Sequence, residues 1–477
     1  MNSSIRKLFF LMVLMFGGLV AVLAWWQVVQ EQNLAENPHN TRKVFAQMRI
    51  ERGLILDNVR GELATNRREG DLYYRVYPRG DLAAHLLGYS DPIYGRTGLE
   101  RSWNDYLTGT ADEVELLNAL NTLTGKENRG ADLKLTLDPG IQSTALSAMQ
   151  DLGKRGAIVV LDVKTGAVLA MVSTPTYDPN LLEENWDQLN ADADAPLLNR
   201  ATQGLYTPGS SFKLITTAAA LDTGTFQPDS KFKDDKGSID IYGNTIRNWR
   251  DLPFGDHDLS EAFSQSINTT FAQVGDRLGQ ETLIRYMQAF GLYSKPPFEL
   301  PADEIMASGR YQDGKLMSPE AAMDPVQVAW MAIGQENLQV TPLQMAMIAQ
   351  AIANGGRMMK PYVVDSVADF DGTIIRQGQP RELAKPVSSG TADDLKDMMI
   401  KVVNEGTGSR LKTDKVQIAG KTGTAEVEGR GPNAWFVGFA PAEDPQVAIA
   451  VVVEDADSFG GISGPVALKT ILAALGL

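Results

Sequence analysis

Uncharged, mostly apolar residues run without interruption from Leu8 to Trp26, and the polarity then changes abruptly. About 19 residues at ~1.5 Å each reach ~28 Å, close to the hydrocarbon thickness of a bilayer. The pattern predicts a membrane-spanning helix over residues 8–28. Arg6 and Lys7 precede the run and Glu31 and Glu36 follow it. This charge bias orients residues 1–7 as a cytoplasmic tail and sends the rest outside the cytoplasm, as in a single-pass cell-membrane protein. Trp25 and Trp26 suit the outer interface. Val22-Leu23-Ala24 offers a cleaved signal peptide as the alternative, but the run exceeds the about 7 to 15 apolar residues of a signal core.

Past the anchor, residues 29–130 mix polar and apolar positions and include an extended-looking Arg52-Gly53-Leu54-Ile55-Leu56-Asp57. They close on Gly125-Lys126-Glu127-Asn128-Arg129-Gly130, a charged stretch of linker composition, where the domain boundary is placed. A helix is expected from about Ile141 to Leu152. The apolar runs Ala157 to Val163 and Ala167 to Val172, joined by the Lys164-Thr165-Gly166 turn, read as a buried hairpin. Residues 210–406 are largely helical in pattern, with Pro342 at an early helical position. Strands return at Val416 to Thr424, Ala434 to Phe439 and Val447 to Val453, before a last helix from Pro465 to Leu475. A sheet drawn from both ends of a domain, with a helical block between them, gives an α+β fold: an antiparallel sheet flanked by helices over residues 131–477, beside a small mixed N-terminal region.

Composition narrows the chemistry. A chain of 477 residues exceeds one ordinary domain of about 100 to 200 residues, so two folded regions are expected. The net charge of -15 argues against nucleic acid as a partner. No cysteine is present, which removes disulfides, thiol catalysis and Cys-based metal sites. Imidazole comes only from His39, His85 and His257, with no H-E-x-x-H, so a zinc hydrolase is not expected.

Three short motifs carry the remaining signal. Ser210-Ser211-Phe212-Lys213 follows a Pro-Gly turn and opens the apolar run Leu214 to Leu221. Residues three apart share a helix face, so Lys213 can take the proton that Ser210 loses on becoming a nucleophile. Other S-x-x-K copies begin at Ser4, Ser230 and Ser409, in a tail or in polar stretches. Ser266-Ile267-Asn268 supplies S-x-N and Lys421-Thr422-Gly423-Thr424 supplies K-T-G, with second copies at Ser102 and Lys164. Read by itself, the stripe Leu259, Phe263, Ile267, Phe271, Val274, Leu278 puts Ser266 and Asn268 on the polar face of one amphipathic helix. Order and context favour chemistry instead, because the trio is a mechanistic signature of serine acyltransferases that act on β-lactam-like substrates.

With these motifs the chain resembles a class B penicillin-binding protein, a monofunctional peptidoglycan D,D-transpeptidase with a short pedestal. Gly156 to Pro179, Asn199 to Gly204, Ile333-Gly334-Gln335, Val340 to Met345 and Trp435 to Gly438 resemble family segments, as does Gly98-Leu99-Glu100; the likeness is weaker before Gly130. The resemblance implies a transpeptidase fold of the serine β-lactamase type, a dimerisation-like pedestal, and a Ser210 acyl-enzyme formed at D-Ala-D-Ala of a stem peptide, lipid-linked or on nascent glycan. It implies Lys213 as base, Ser266 as proton relay and Asn268 as a holder of Lys213 and the substrate amide. Lys421, Thr422, Gly423 and Thr424 would bind the terminal carboxylate, and the backbone N–H groups of Ser210 and Thr424 the oxyanion. The resemblance requires no metal and no organic cofactor; β-lactams become acylating inhibitors, and a membrane-embedded glycan polymerase of the shape and division family the expected partner.

The rivals are a D,D-carboxypeptidase, which differs in using water as acceptor, and a non-catalytic divisome scaffold, which the intact motifs oppose. A class A β-lactamase would add a glutamate in E-x-x-L-N, absent after Ser266. A Ser-His-Asp hydrolase would recruit His257 without a G-x-S-x-G elbow.

Overall fold

The computed structural model describes residues 3–26, 47–115, 129–427, 429–456 and 461–477. Glu31, Glu36, His39, the start of the N-terminal region and residues 125–128 of the expected linker lie outside them. The anchor run forms the helix Ser3–Ala24, whose most apolar 18 residues have a mean hydropathy of 2.4 and in which no residue is buried. It is long and apolar enough to cross a membrane, and its bare apolar surface suggests a membrane anchor.

Five antiparallel strands make the central sheet, in the order Ala419–Val427, Arg430–Ala440, Val447–Val453, Gly156–Asp162, Val168–Thr174. The two ends of the domain meet in the middle, where Val447 lies opposite Asp162 and Val453 opposite Gly156. Alternation is missing from these strands for a physical reason: the sheet is covered on both faces. Ile158, Val160, Ile449 and Val451 pack with Ile141, Ala145 and Met149 of helix Pro139–Gln150 and Val466 and Ile471 of helix Ser463–Ala474. Ala157, Val159, Leu161, Ala450 and Val452 face the core that holds helix Pro342–Ala353. Side-chain caps place two of these helices. Asp138 accepts from the Gly140 and Ile141 amides, and Thr341 from that of Gln344.

The block expected to be helical departs from its pattern. It contains helices, among them Lys213–Asp222 and Ser389–Asn404, but also strands Lys231–Asp234, Ser238–Ile241, Asn244–Arg247, Gly255–Asp258, Val364–Ala368 and Ile374–Gln377. The last two enter a six-stranded sheet with Asp132–Leu135, Ile55–Leu56, Glu62–Glu69 and Leu72–Val76. One sheet therefore draws strands from both sides of the boundary placed at Gly130. Val364–Ala368, joined to Asp132–Leu135 more than two hundred residues away, carries no local signature of that pairing.

Below this sheet Glu100 is fully buried between two guanidinium groups, Arg52 Nη2 at 2.8 Å and Arg75 Nε at 2.5 Å. Burial alone would raise its carboxyl, but Arg75 and Arg52 outweigh this and hold it below its ordinary value. The neighbouring turn docks on the larger region, with the Gly98 amide donating to Glu304 and Arg101 paired with Asp303 at 2.7 Å. Removing one partner from a buried ion cluster strands the others. Glu100→Ala should lower stability by ~3 to 5 kcal/mol in denaturant titration. Because the carboxyl is depressed, its contribution is present above the unfolded carboxylate range and fades as pH falls below it. A loss under about 1 kcal/mol, the scale of an exposed ion pair, would contradict the cluster's role.

Candidate active site

The Ser210 segment is a 3-10 turn, Gly209–Phe212, running directly into helix Lys213–Asp222. In a 3-10 turn side chains at i and i+3 eclipse, so Ser210 and Lys213 share a face through tighter geometry than the α-helical spacing predicts. Close backbone approach seats this turn on the edge strand Ala419–Val427. Gly209 has φ 51°, and a Cβ there would lie 2.3 Å from the Thr424 carbonyl oxygen. A Cβ on Gly423 would lie 2.7 Å from the Pro208 oxygen and 2.9 Å from the Ser211 nitrogen. Glycine at both positions is thus a packing requirement. The Trp435 indole donates to the Thr207 carbonyl at 3.1 Å and closes the other side.

The apolar stripe from Leu259 to Leu278 belongs to two helices, not one. Leu259–Gln265 ends at Ser266, which is left-handed (φ 61°, ψ 41°), and the next helix begins at Asn268. Leu259, Phe263, Ile267 and Phe271 are all buried, so the 3.6-residue repeat survives the break and conceals it. A left-handed serine is strained by of order 1 kcal/mol, and such strain concentrates at functional sites.

The break aims Ser266 between two lysines. Lys213 Nζ donates to the Ser266 carbonyl at 2.8 Å, Asn268 Oδ1 at 2.8 Å and Ser266 Oγ at 3.3 Å. Lys421 Nζ donates to Ser266 Oγ at 3.1 Å and to the Thr422 carbonyl at 3.0 Å. Both lysines are fully buried. Phenylalanine rings serve each ammonium, Phe271 at 5.1 Å from Lys213 Nζ and Phe263 at 5.7 Å from Lys421 Nζ. Burial, and then the Lys421 charge, push Lys213 well below its ordinary value; burial brings Lys421 down to about 7. Ser210 is half-buried, and among the described residues its hydroxyl makes no hydrogen bond that would occupy it.

Every residue of the three motifs converges here, while the duplicates lie elsewhere. Ser102 Oγ donates to the Gly98 and Glu299 carbonyls, and Asp162 caps the Lys164-Thr165 turn. His257 bonds Gly255 and Thr270, and His85 bonds Pro196, so neither supports Ser210. The sequence reading missed Thr407, whose hydroxyl meets that of Thr422 at 2.6 Å while its amide donates to Ser264. The signal available was its Gly406-Thr407-Gly408 setting, in which two glycines admit a tight approach.

Comparison with known proteins fits this geometry. A family model described as the penicillin binding protein transpeptidase domain matches residues 156–473, and one described as the penicillin binding protein A dimerisation domain matches 52–133. The peptidoglycan D,D-transpeptidase PbpA of Mycolicibacterium smegmatis is 34% identical over 501 residues, spanning 100% of this chain and 99% of that protein. The peptidoglycan D,D-transpeptidase MrdA of Acinetobacter baumannii is 32% identical over 437 residues, spanning 80% and 63%. Among solved structures, the imipenem acyl-enzyme complex of penicillin-binding protein A from M. tuberculosis matches with a TM-score of 0.83 at 33% identity, covering 90% of this chain and 100% of that one.

The two lysines make a testable pair. Removing the Lys421 charge favours the ammonium form of Lys213, so in Lys421→Met the acid limb of Ser210 reactivity should move to higher pH. An unmoved limb in the pH–rate profile would show that the two amines do not sense each other.

Proposed function

This chain belongs to the penicillin-binding protein transpeptidase family, and from that premise we propose that it is a peptidoglycan D,D-transpeptidase working through a Ser210 acyl-enzyme. One observation carries the assignment of roles. Ser266 Oγ lies within hydrogen-bond reach of two buried lysine nitrogens, one of them three residues from a half-buried serine on the same turn face. Ser210 Oγ attacks the carbonyl of the D-Ala-D-Ala bond, and its proton passes to Lys213, whose depressed basicity keeps a neutral amine available. The tetrahedral oxyanion is held by the amides of Ser210 and Thr424, adjacent where the turn meets the edge strand. The C–N bond then breaks, and Ser266 relays a proton to the departing D-Ala amine. An amine of a second stem peptide attacks the acyl-enzyme, loses its proton back through the same path, and frees Ser210 with a new peptide bond.

Lys421, Thr422, Gly423 and Thr424 supply a cationic, hydroxyl-bearing strand for the terminal carboxylate of the donor stem. β-Lactams carry a comparable carboxylate and acyl centre, and we read them as acylating inhibitors. The missing E-x-x-L-N glutamate supports slow deacylation. We further read residues 131–477 as the catalytic domain, 29–130 as its pedestal, and 8–28 as the anchor that holds both outside the cytoplasm. In that arrangement the pedestal offers a contact surface for a membrane-embedded glycan polymerase.

The test is fluorescent penicillin labelling of the detergent-solubilised full chain, read by gel and intact mass. Wild type should form a long-lived adduct and Ser210→Ala none; an adduct on the alanine variant would relocate the nucleophile, and rapid turnover would favour a β-lactamase. Lys213→Ala should slow acylation by about 100- to 10,000-fold, the usual reach of a general base. Unchanged kinetics would remove Lys213 from that role.

A further inference from the structure

Asn268 has a second partner besides Lys213. Its Oδ1 accepts from Lys213 Nζ at 2.8 Å while its Nδ2 donates to the Arg247 carbonyl at 3.0 Å. The carbonyl accepts only from the nitrogen end, so it dictates which end of the Asn268 amide faces the lysine. A flipped amide would set an N–H donor against an amine that must also donate.

Arg247 ends the hairpin Ser238–Ile241 with Asn244–Arg247, and the next residue is Asn248. Asn248 is buried, at 5% exposure, with its side chain fully engaged. Its Oδ1 accepts from the Thr269 amide at 3.0 Å. That amide lies in the first turn of helix Asn268–Ala289, whose own N-cap position, Ile267, offers no side-chain cap. Asn248 Nδ2 donates to Asp234 Oδ2 at 2.5 Å and to the Leu252 carbonyl at 3.0 Å. Asp234 is buried too, and its other oxygen accepts from the Gly237 amide at 2.8 Å. The Leu252 bond spans Arg250 (φ 57°) and Asp251 (φ 54°), two consecutive left-handed residues without glycine's freedom. A strained turn persists only where its surroundings over-determine it, and here Asn248 supplies the bracing.

We propose that Asn248, backed by Asp234, is a positioning residue for the acyl transfer: it fixes the first turn of helix Asn268–Ala289 and the Arg247 carbonyl together, so that Asn268 presents its oxygen to Lys213. The hairpin is thereby part of the apparatus that holds the base. It acts at one remove from the reacting atoms, through a single amide.

The inference rests on the acyl-enzyme reading, and the experiment separates the two. Second-order acylation by fluorescent penicillin is measured against pH for the full chain and for Asn248→Ala, Asn248→Asp and the exchange Asp234→Asn with Asn248→Asp, with melting temperatures alongside. No adduct on wild type defeats the acyl-enzyme reading itself; an adduct on wild type leaves the inference to stand or fall on the variants. Asn248→Ala should acylate about 10- to 100-fold more slowly, the scale of a displaced catalytic group. Its acid limb should move to lower pH, because a lost carbonyl acceptor removes a stabiliser of the Lys213 ammonium. Asn248→Asp sets two carboxylates against each other and should be impaired. The exchange restores one donor facing one acceptor and keeps an oxygen for the Thr269 amide, but leaves the Leu252 carbonyl without its donor, so it should recover part of the rate lost in Asn248→Asp. A folded Asn248→Ala with wild-type rate and profile overturns the proposal. So does a slowed rate with an unmoved limb and no recovery in the exchange, which would mark Asn248 as merely structural.

Discussion

Two ammonium groups cannot both keep their charge around one buried hydroxyl. Lys213 and Lys421 are removed from water and reach the same Ser266 Oγ, so desolvation and mutual repulsion act in the same direction. The neighbourhood allows them to stay by giving each nitrogen carbonyl or amide oxygens and an aromatic face, none of which carries a full negative charge. A carboxylate at this place would have returned both lysines to permanent ammonium ions. Among the described residues no carboxylate contacts either nitrogen, so no full negative charge there opposes the loss of a proton from Lys213.

Meeting that constraint requires three chain segments to be held at fixed separation. A helix start brings Lys213, a broken helix brings Ser266 and Asn268, and an edge strand brings Lys421. The central sheet is rigid because it is packed on both faces, and it fixes the strand. Glycines at 209 and 423 let the Ser210 turn rest on that strand at backbone contact, so the spacing is set by main-chain atoms and not by pliable side chains. Thr407 adds a link between the strand and the broken helix, through Thr422 on one side and Ser264 on the other.

Much of this was legible in the sequence where chemistry and local pattern agree. The continuous apolar runs at 157–163 and 447–453 read correctly as buried strands, and Pro-Gly before Ser210 marked a tight start that the structure realises as a 3-10 turn. The break at Ser266 stayed hidden because Ile267 and Phe271 keep the helical repeat across it: the core sees unbroken spacing while the backbone turns left-handed. The strands within 210–406 were hidden for a different reason. Ile374–Gln377 is mostly exposed and Val364–Ala368 is short, so neither shows the alternation of a half-buried strand; the second pairs with Asp132–Leu135, far away in the sequence, and the first joins the sheet only through the second. Asn248 and Thr407 carry no motif of their own; their significance is in what they touch.

The six-stranded sheet has a consequence for how the chain is made. Asp132–Leu135 lies between Ile55–Leu56, drawn from near the N-terminus, and Val364–Ala368, drawn from deep in the second region. A ribosome delivers the first two strands long before the third, so one edge of Asp132–Leu135 stays unpaired through the synthesis of the intervening residues. During that interval the nascent N-terminal region displays an open strand edge, the kind of surface that pairs with foreign chains. Without Val364–Ala368 and Ile374–Gln377, the first four strands form a sheet with one edge of Asp132–Leu135 left unpaired.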